Sequence, residues 1–206
     1  MSEPRRHHRP ALPGDAAFQA IPAEDDPARR SEAADRCATL LVRGARDRAD
    51  EEVVARVVAL ADAEGLETLA ELWAGAPADS LAGCLWRLYV LRSWVHADPV
   101  AAAGEVASGR RHLPVHEVVA GVVDPPGADE VRQLVDQVLR GVAVGDFADT
   151  LYRAAAFARV VATGRAHLEH GGRRSRYAHD LSAARLSSMA DQLEHAARLE
   201  VIGQLS

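Results

Sequence analysis

The stretch SLAGCLWRLYVLRSWV, residues 80–95, sets the terms for everything around it. Leu81, Cys84, Leu85, Trp86, Leu88, Tyr89, Val90, Leu91, Trp94 and Val95 leave few polar positions in it. A helix that is apolar on nearly all sides belongs at the centre of a structure, wrapped by other elements. Such a helix would reach about 24 Å, short of a bilayer crossing, which takes roughly 20 apolar residues. The rest of the chain must therefore supply one-sided elements to cover it.

It does so at helical spacing. In EVRQLVDQVLRGV, Val131, Leu134, Val135, Val138, Leu139 and Val142 recur along one face, with Arg132, Gln133, Asp136, Gln137 and Arg140 on the other. That recurrence predicts an amphipathic helix. Ala33, Cys37, Leu40 and Leu41 form a similar face after Pro27, and Val53, Val54, Val57, Val58, Leu60 and Ala61 form one after Asp50. The valines suit a strand locally, but their spacing and their Ala, Glu and Arg neighbours favour helix. A short helix over 66–74 precedes the central one. Phe147, Leu151, Ala154, Ala155 and Ala158 mark a helix to about Gly164, and Leu181, Leu186, Met189, Leu193 and Leu199 mark a last one over about 175–200.

The punctuation is consistent. Asp26–Pro27 and Asp98–Pro99 each place a capping carboxylate before a proline at the first helical position, where the missing N–H costs nothing. The second of these helices is expected to run to about Gly109. Gly44, Gly65, Gly75–Pro77 and Pro125–Gly127 are breaks, since proline and glycine end helices. Gly145–Asp146 ends one helix and caps the next, with Asp149 in a capping-box-like position. No alternating strand pattern is sustained. The fold class is therefore all-α, a compact bundle of about seven to nine helices, with a short α-solenoid as the alternative. Residues 1–26, with prolines at 4, 10, 13 and 22 and no period, read as a disordered tail, leaving 27–206 as a single helical domain.

Charge narrows the function. The chain has no lysine and no asparagine, so all 24 basic residues are arginine. With the many alanines and valines, this is the mark of a GC-rich genome, and it weakens any functional meaning of arginine as such. The net charge of −6 argues against a nucleic-acid binder, whose affinity comes largely from neutralising phosphates. Two local clusters remain, Arg5, Arg6 and Arg9 and then Arg173, Arg174 and Arg176, the latter with Tyr177 beside it. Both read as solvated chain. Nothing at the start resembles a signal peptide, so a cytoplasmic protein with reduced thiols is expected. Cys37 and Cys84 sit in apolar helical patterns with no CxxC pair, and read as small buried hydrophobes.

Metal chemistry has two candidate pairs. In HLPVHE, residues 112–117, His112 and His116 stand four apart beside Glu117. Pro114 between them favours a helix that begins at the proline, leaving His112 outside it, and Glu117 then suits the positive helix start. The order also lacks the glutamate between histidines that a metalloprotease helix needs. His167 and His170 flank Glu169 just before Gly171–Gly172, and read as ornaments of a C-terminal helical turn. Asp191, Glu194 and His195 read as a solvated helix face. Ser182, Ser187 and Ser188 lie in the last helix with no GxSxG elbow, and no phosphate loop is present. Trp73, Trp86, Trp94 and Tyr89 read as core, with a partner-anchoring role as the alternative if Trp73 or Trp94 is exposed. No catalytic, cofactor or metal residue is assigned on these grounds.

The segments LRSWV, VAGVVDPPG, VLRGVAVGDFADTL and AAAFARVVATGR, within about 85–165, resemble a family of uncharacterised helical proteins from actinobacteria. The resemblance implies a helical fold and no known activity, so it carries over no site residues. Three functional readings follow. The first is a non-enzymatic helical interaction or adaptor module, binding a protein partner or a second copy of itself. The second is a nucleic-acid-associated regulator using the arginine clusters. The third is a metal- or small-molecule-dependent enzyme using His112, His116, His167 or His170. The balance leans away from an enzyme, from nucleic acid and from a membrane.

Overall fold

The computed structural model describes residues 27–44, 66–113, 127–144, 146–170 and 181–206. Seven helices appear among them: α1 (Pro27–Arg43), α2 (Leu66–Trp73), α3 (Leu81–Ala97), α4 (Pro99–His112), α5 (Ala128–Val144), α6 (Phe147–His170) and α7 (Ala183–Val201). The described residues contain no strand. The architecture is an all-α compact bundle.

The caps are side chains placed by the sequence. Ser80 Oγ accepts from the Gly83 N–H at 3.1 Å and opens α3. Asp98 accepts from the Ala101 N–H at 3.0 Å, with Pro99 at the head of α4. Asp146 accepts from the Asp149 N–H at 3.1 Å, and Ser182 from the Arg185 N–H at 3.2 Å. Each satisfies an amide that the helix itself leaves orphaned. At the far end of α7, Gly203 adopts φ 68°. Its N–H reaches Glu200 O at 3.0 Å and the Gln204 N–H reaches Leu199 O at 2.8 Å, a Schellman closure that needs the left-handed residue. The chain then turns back. Leu205 is buried, and Ser206 O accepts from the Leu81 N–H at 2.7 Å, covering the first turn of α3.

Helix α3 lies at the centre and touches α1, α2, α4, α5, α6 and α7. Contacts with so many non-sequential elements make a bundle rather than a solenoid, in which each repeat meets only its neighbours. Leu81, Cys84, Leu85, Leu88, Leu91, Trp94 and Val95 are buried. The Trp73 indole N–H donates to Ala34 O at 3.3 Å, pinning α2 to α1.

A second packing mode joins α4, α6 and α7. Their interface is built from alanine and glycine: Ala102, Ala103, Gly109, Ala154, Ala155, Ala158, Gly164, Ala190, Ala196 and Ala197 are buried. Glu105 meets Arg165, Gly109 lies against Gly164, and His112 stacks on His167, so α4 and α6 pass each other in the same direction. A Cβ on Gly164 would fall 1.8 Å from Glu105 O, and one on Gly109 would fall 1.9 Å from Val160 O. The backbones touch here, and any side chain would force them apart.

Several boundaries differ from the sequence reading. Helix α4 runs past Gly109 to His112, and α6 runs past Gly164 to His170. Neither glycine is a stop; each is bare because another backbone crosses it. Helix α7 starts at Ala183, so Ser182 is its cap rather than an interior residue. On α1 the inward face is Ala34, Cys37, Ala38 and Leu40, while Ala33 is exposed. The expected tail over 1–26, the helix after Asp50 and the helix starting at Pro114 lie outside the described residues.

Candidate functional site

The outer face of α3 is where burial stops. Trp86, Tyr89, Val90 and Ser93 are only half-buried, unlike the leucines on the opposite face. With Trp94 and Ala97 they form one helical stripe. Leu181 and Met189, at the start of α7, make the facing wall. The groove between them is an open cavity of about 660 Å³, within the ~300–1,000 Å³ of typical binding sites. Trp86 and Tyr89 stack with ring centroids 5.9 Å apart and planes 27° apart. Their lost conformational freedom is thus already met before anything binds.

The floor is held from beneath. Arg165 is buried at 1% exposure, and its guanidinium carbon lies 4.8 Å from the centre of the Trp94 ring. Its Nε and Nη2 donate to the two Glu105 oxygens at 3.0 and 2.8 Å, and Nη1 donates to Leu181 O. A bidentate pair with each guanidinium nitrogen bonded is the condition under which a buried charge is tolerated. One cation thereby fixes the Trp94 floor and the Leu181 wall to the α4–α6 crossing.

Charged residues mark both edges. By the helical repeat, Arg87 lies on the α7 side of the stripe. Its Nε donates to Gln192 Oε1 at 2.8 Å and its Nη1 to Gly83 O at 2.7 Å. These acceptors are neutral, and burial pulls the Arg87 guanidinium below its ordinary value, opposed at longer range by Cys84 and Asp79. On the α5 side, Arg92 Nε and His96 Nε2 meet the same Asp136 oxygen at 2.9 and 3.0 Å. Burial alone would raise the Asp136 carboxyl, but hydrogen bonds from His96 and Arg92 outweigh it and hold it below the usual carboxylate range.

The residues singled out from sequence fall elsewhere. His112 and His167, read as members of two separate pairs, are brought together across α4 and α6. Their rings stack at 3.7 Å with planes 14° apart. His112 Nδ1 donates to Ser108 O at 2.7 Å. Parallel stacked rings aim their in-plane lone pairs side by side rather than at one point, a poor chelate. Among the described residues no group of three or more His, Cys, Asp or Glu side chains is placed to hold a metal ion. His116, Glu117, and the arginines at 5, 6, 9, 173, 174 and 176 lie outside the described residues, as does Tyr177.

Asp191 and Glu194 are ion-pair partners of Arg159 at 3.1 and 2.6 Å, tying α7 to α6, while His195 is exposed. The Arg159 hydrogen bond lowers the Glu194 carboxyl despite its burial. Arg43 forms a two-pronged pair with Glu200. Ser187 and Ser188 face solvent. Cys37 and Cys84 are buried free thiols, and burial pushes the Cys84 thiol up to about 12, which makes it inert. Trp73 and Trp94 are core, at 7% and 8% exposure.

The sequence reading missed the groove, the Arg92–His96–Asp136 cluster and the Glu105–Arg165 pair. The last had a signal. Glu105 falls in line with Ala102 and Gly109, and Arg165 with Ala158 and Val161, so opposite charges stand on two apolar stripes. No helix among the described residues is long and apolar enough to cross a membrane. No family model matches the chain, and no curated protein and no solved structure matches it either.

Proposed function

We propose that this chain is a non-enzymatic helical interaction module and that the groove along α3 is its binding surface. One observation carries the reading. On a helix whose opposite face is sunk in the core, Trp86, Tyr89 and Val90 stay half-buried beside Met189, in an apolar cavity with a rigid floor. Aromatic residues in a preformed apolar groove are the usual energetic centre of an interface, and methionine adapts to varied partners. The free buried thiols of Cys37 and Cys84 suit a reducing compartment such as the cytoplasm.

The test is affinity capture from the native host with wild-type protein and with Trp86→Ala and Tyr89→Ala, each checked for unchanged helicity. A partner retained by wild type and lost by both variants supports the reading. A partner held equally by all three, or no partner at all, contradicts it.

A further inference from the structure

We propose that the α3 groove receives an acidic amphipathic helix from a partner protein. This rests on the interaction reading above and specifies its occupant. The shape points to a helix. The stripe from Trp86 to Ala97 covers about 16 Å, roughly three helical turns, and its facing wall is Met189 of another helix, α7, with Leu181 just before that helix begins. A trough over one helix and beside a second accepts a third through residues at i, i+3, i+4 and i+7.

The charge points to acid. The trough itself is apolar, with the Arg87 cation on one edge and the Arg92–His96–Asp136 cluster on the other. Among the described residues, Arg87 on one edge is bonded to neutral acceptors, Gln192 and the Gly83 carbonyl. It is a half-buried cation that no carboxylate among the described residues bonds directly. Arg92 and His96 on the other edge share one carboxylate, Asp136, between two donors. A helix with an apolar stripe and an Asp or Glu facing Arg87 would match this pattern. The chain as a whole carries a net charge of −6, so the Arg87 edge runs against its overall sign, and a second copy gains nothing from general attraction.

The probe is a synthetic amphipathic peptide of about five turns, with Leu at i, i+3, i+4 and i+7 and Glu on both flanks. A counterpart carries Arg in place of Glu. The full chain, labelled with fluorotryptophan, gives three tryptophans to follow by fluorine NMR, with Trp86 assigned through Trp86→Phe. The acidic peptide should shift the Trp86 resonance and leave Trp73 nearly still. Trp86→Ala should weaken its binding about tenfold or more. Arg87→Gln, which leaves the aromatic stripe intact, should weaken it about two- to fivefold, with a shallower salt dependence.

Equal binding of the Arg peptide, or no effect of Arg87→Gln, overturns the acidic occupant and leaves the interaction reading standing. A Trp86 resonance that neither peptide moves overturns the proposal. If that resonance is also insensitive to solvent, other residues of the chain fill the groove and the interaction reading falls with it. Self-association abolished by Trp86→Ala overturns the proposal in favour of a second copy.

Discussion

The α4–α6 crossing and the outer face of α3 bury their residues by opposite means. At the crossing, Gly109 and Gly164 remove the side chain altogether, and the backbones touch with Glu105 and Arg165 locked beside them. On α3, Trp86, Tyr89 and Met189 are too large and too irregular to close against each other, and a cavity stays open. Small residues give close helices and little adaptability. Large ones hold helices apart and leave apolar surface on offer. The two regions are joined, because the Arg165 that completes the crossing also supports Trp94 under the groove.

The largest effect should come from cutting that joint. Arg165→Ala removes the buried cation that neutralises the buried Glu105 carboxylate, so urea unfolding should show a loss of about 3–5 kcal/mol. The double replacement Arg165→Met with Glu105→Leu should recover much of it, because no stranded charge remains. A single variant as stable as wild type would break the link between the two regions.

The two tryptophans separate core from surface. Trp94→Ala removes a buried indole and the roof over Arg165, and should cost about 3–5 kcal/mol. Trp86→Ala removes a half-exposed ring and should cost about 1 kcal/mol while abolishing partner binding. Equal losses of stability would place Trp86 in the core and close the groove as a site.

The smallest effect is electrostatic. The folded Asp136 carboxyl titrates below its ordinary value, ~4 in an unfolded chain. Its contribution is therefore complete above that value and is lost as pH falls through the lower folded one. The side chain is 35% exposed, so screening leaves only about a few tenths of a kcal/mol. Asp136→Asn should lower Tm slightly at neutral pH and flatten its decline below about pH 4. A Tm profile identical to wild type in that range would show that the α3–α5 cluster contributes nothing.

Much of the fold was legible because helix periodicity and capping are local. Asp98–Pro99 and Asp146 announce their helices within a few residues, and the α3 leucines declare a centre. The crossing was not legible. Gly109 and Gly164 look like helix stops, and only a partner backbone distant in sequence turns them into contact points. The same limit hid the site. In sequence Trp86 is one more apolar residue beside Leu85 and Leu88, and its half-exposure depends on where α7 happens to end its coverage. The His112–His167 stack shows the same thing: each histidine was paired with its neighbour in sequence, whereas space pairs it across two helices.

The closest test of the backbone crossing uses one helix and one substitution twice. Gly104 and Gly109 both lie within α4, but a Cβ on Gly104 meets nothing within 4 Å, whereas one on Gly109 would fall 1.9 Å from Val160 O. Measured by urea unfolding, Gly104→Ala should raise stability by about 0.5–1 kcal/mol, the ordinary helix-propensity gain. Gly109→Ala should lower it by about 2–3 kcal/mol, the cost of prising the helices apart. Two shifts of the same sign and size would contradict the crossing.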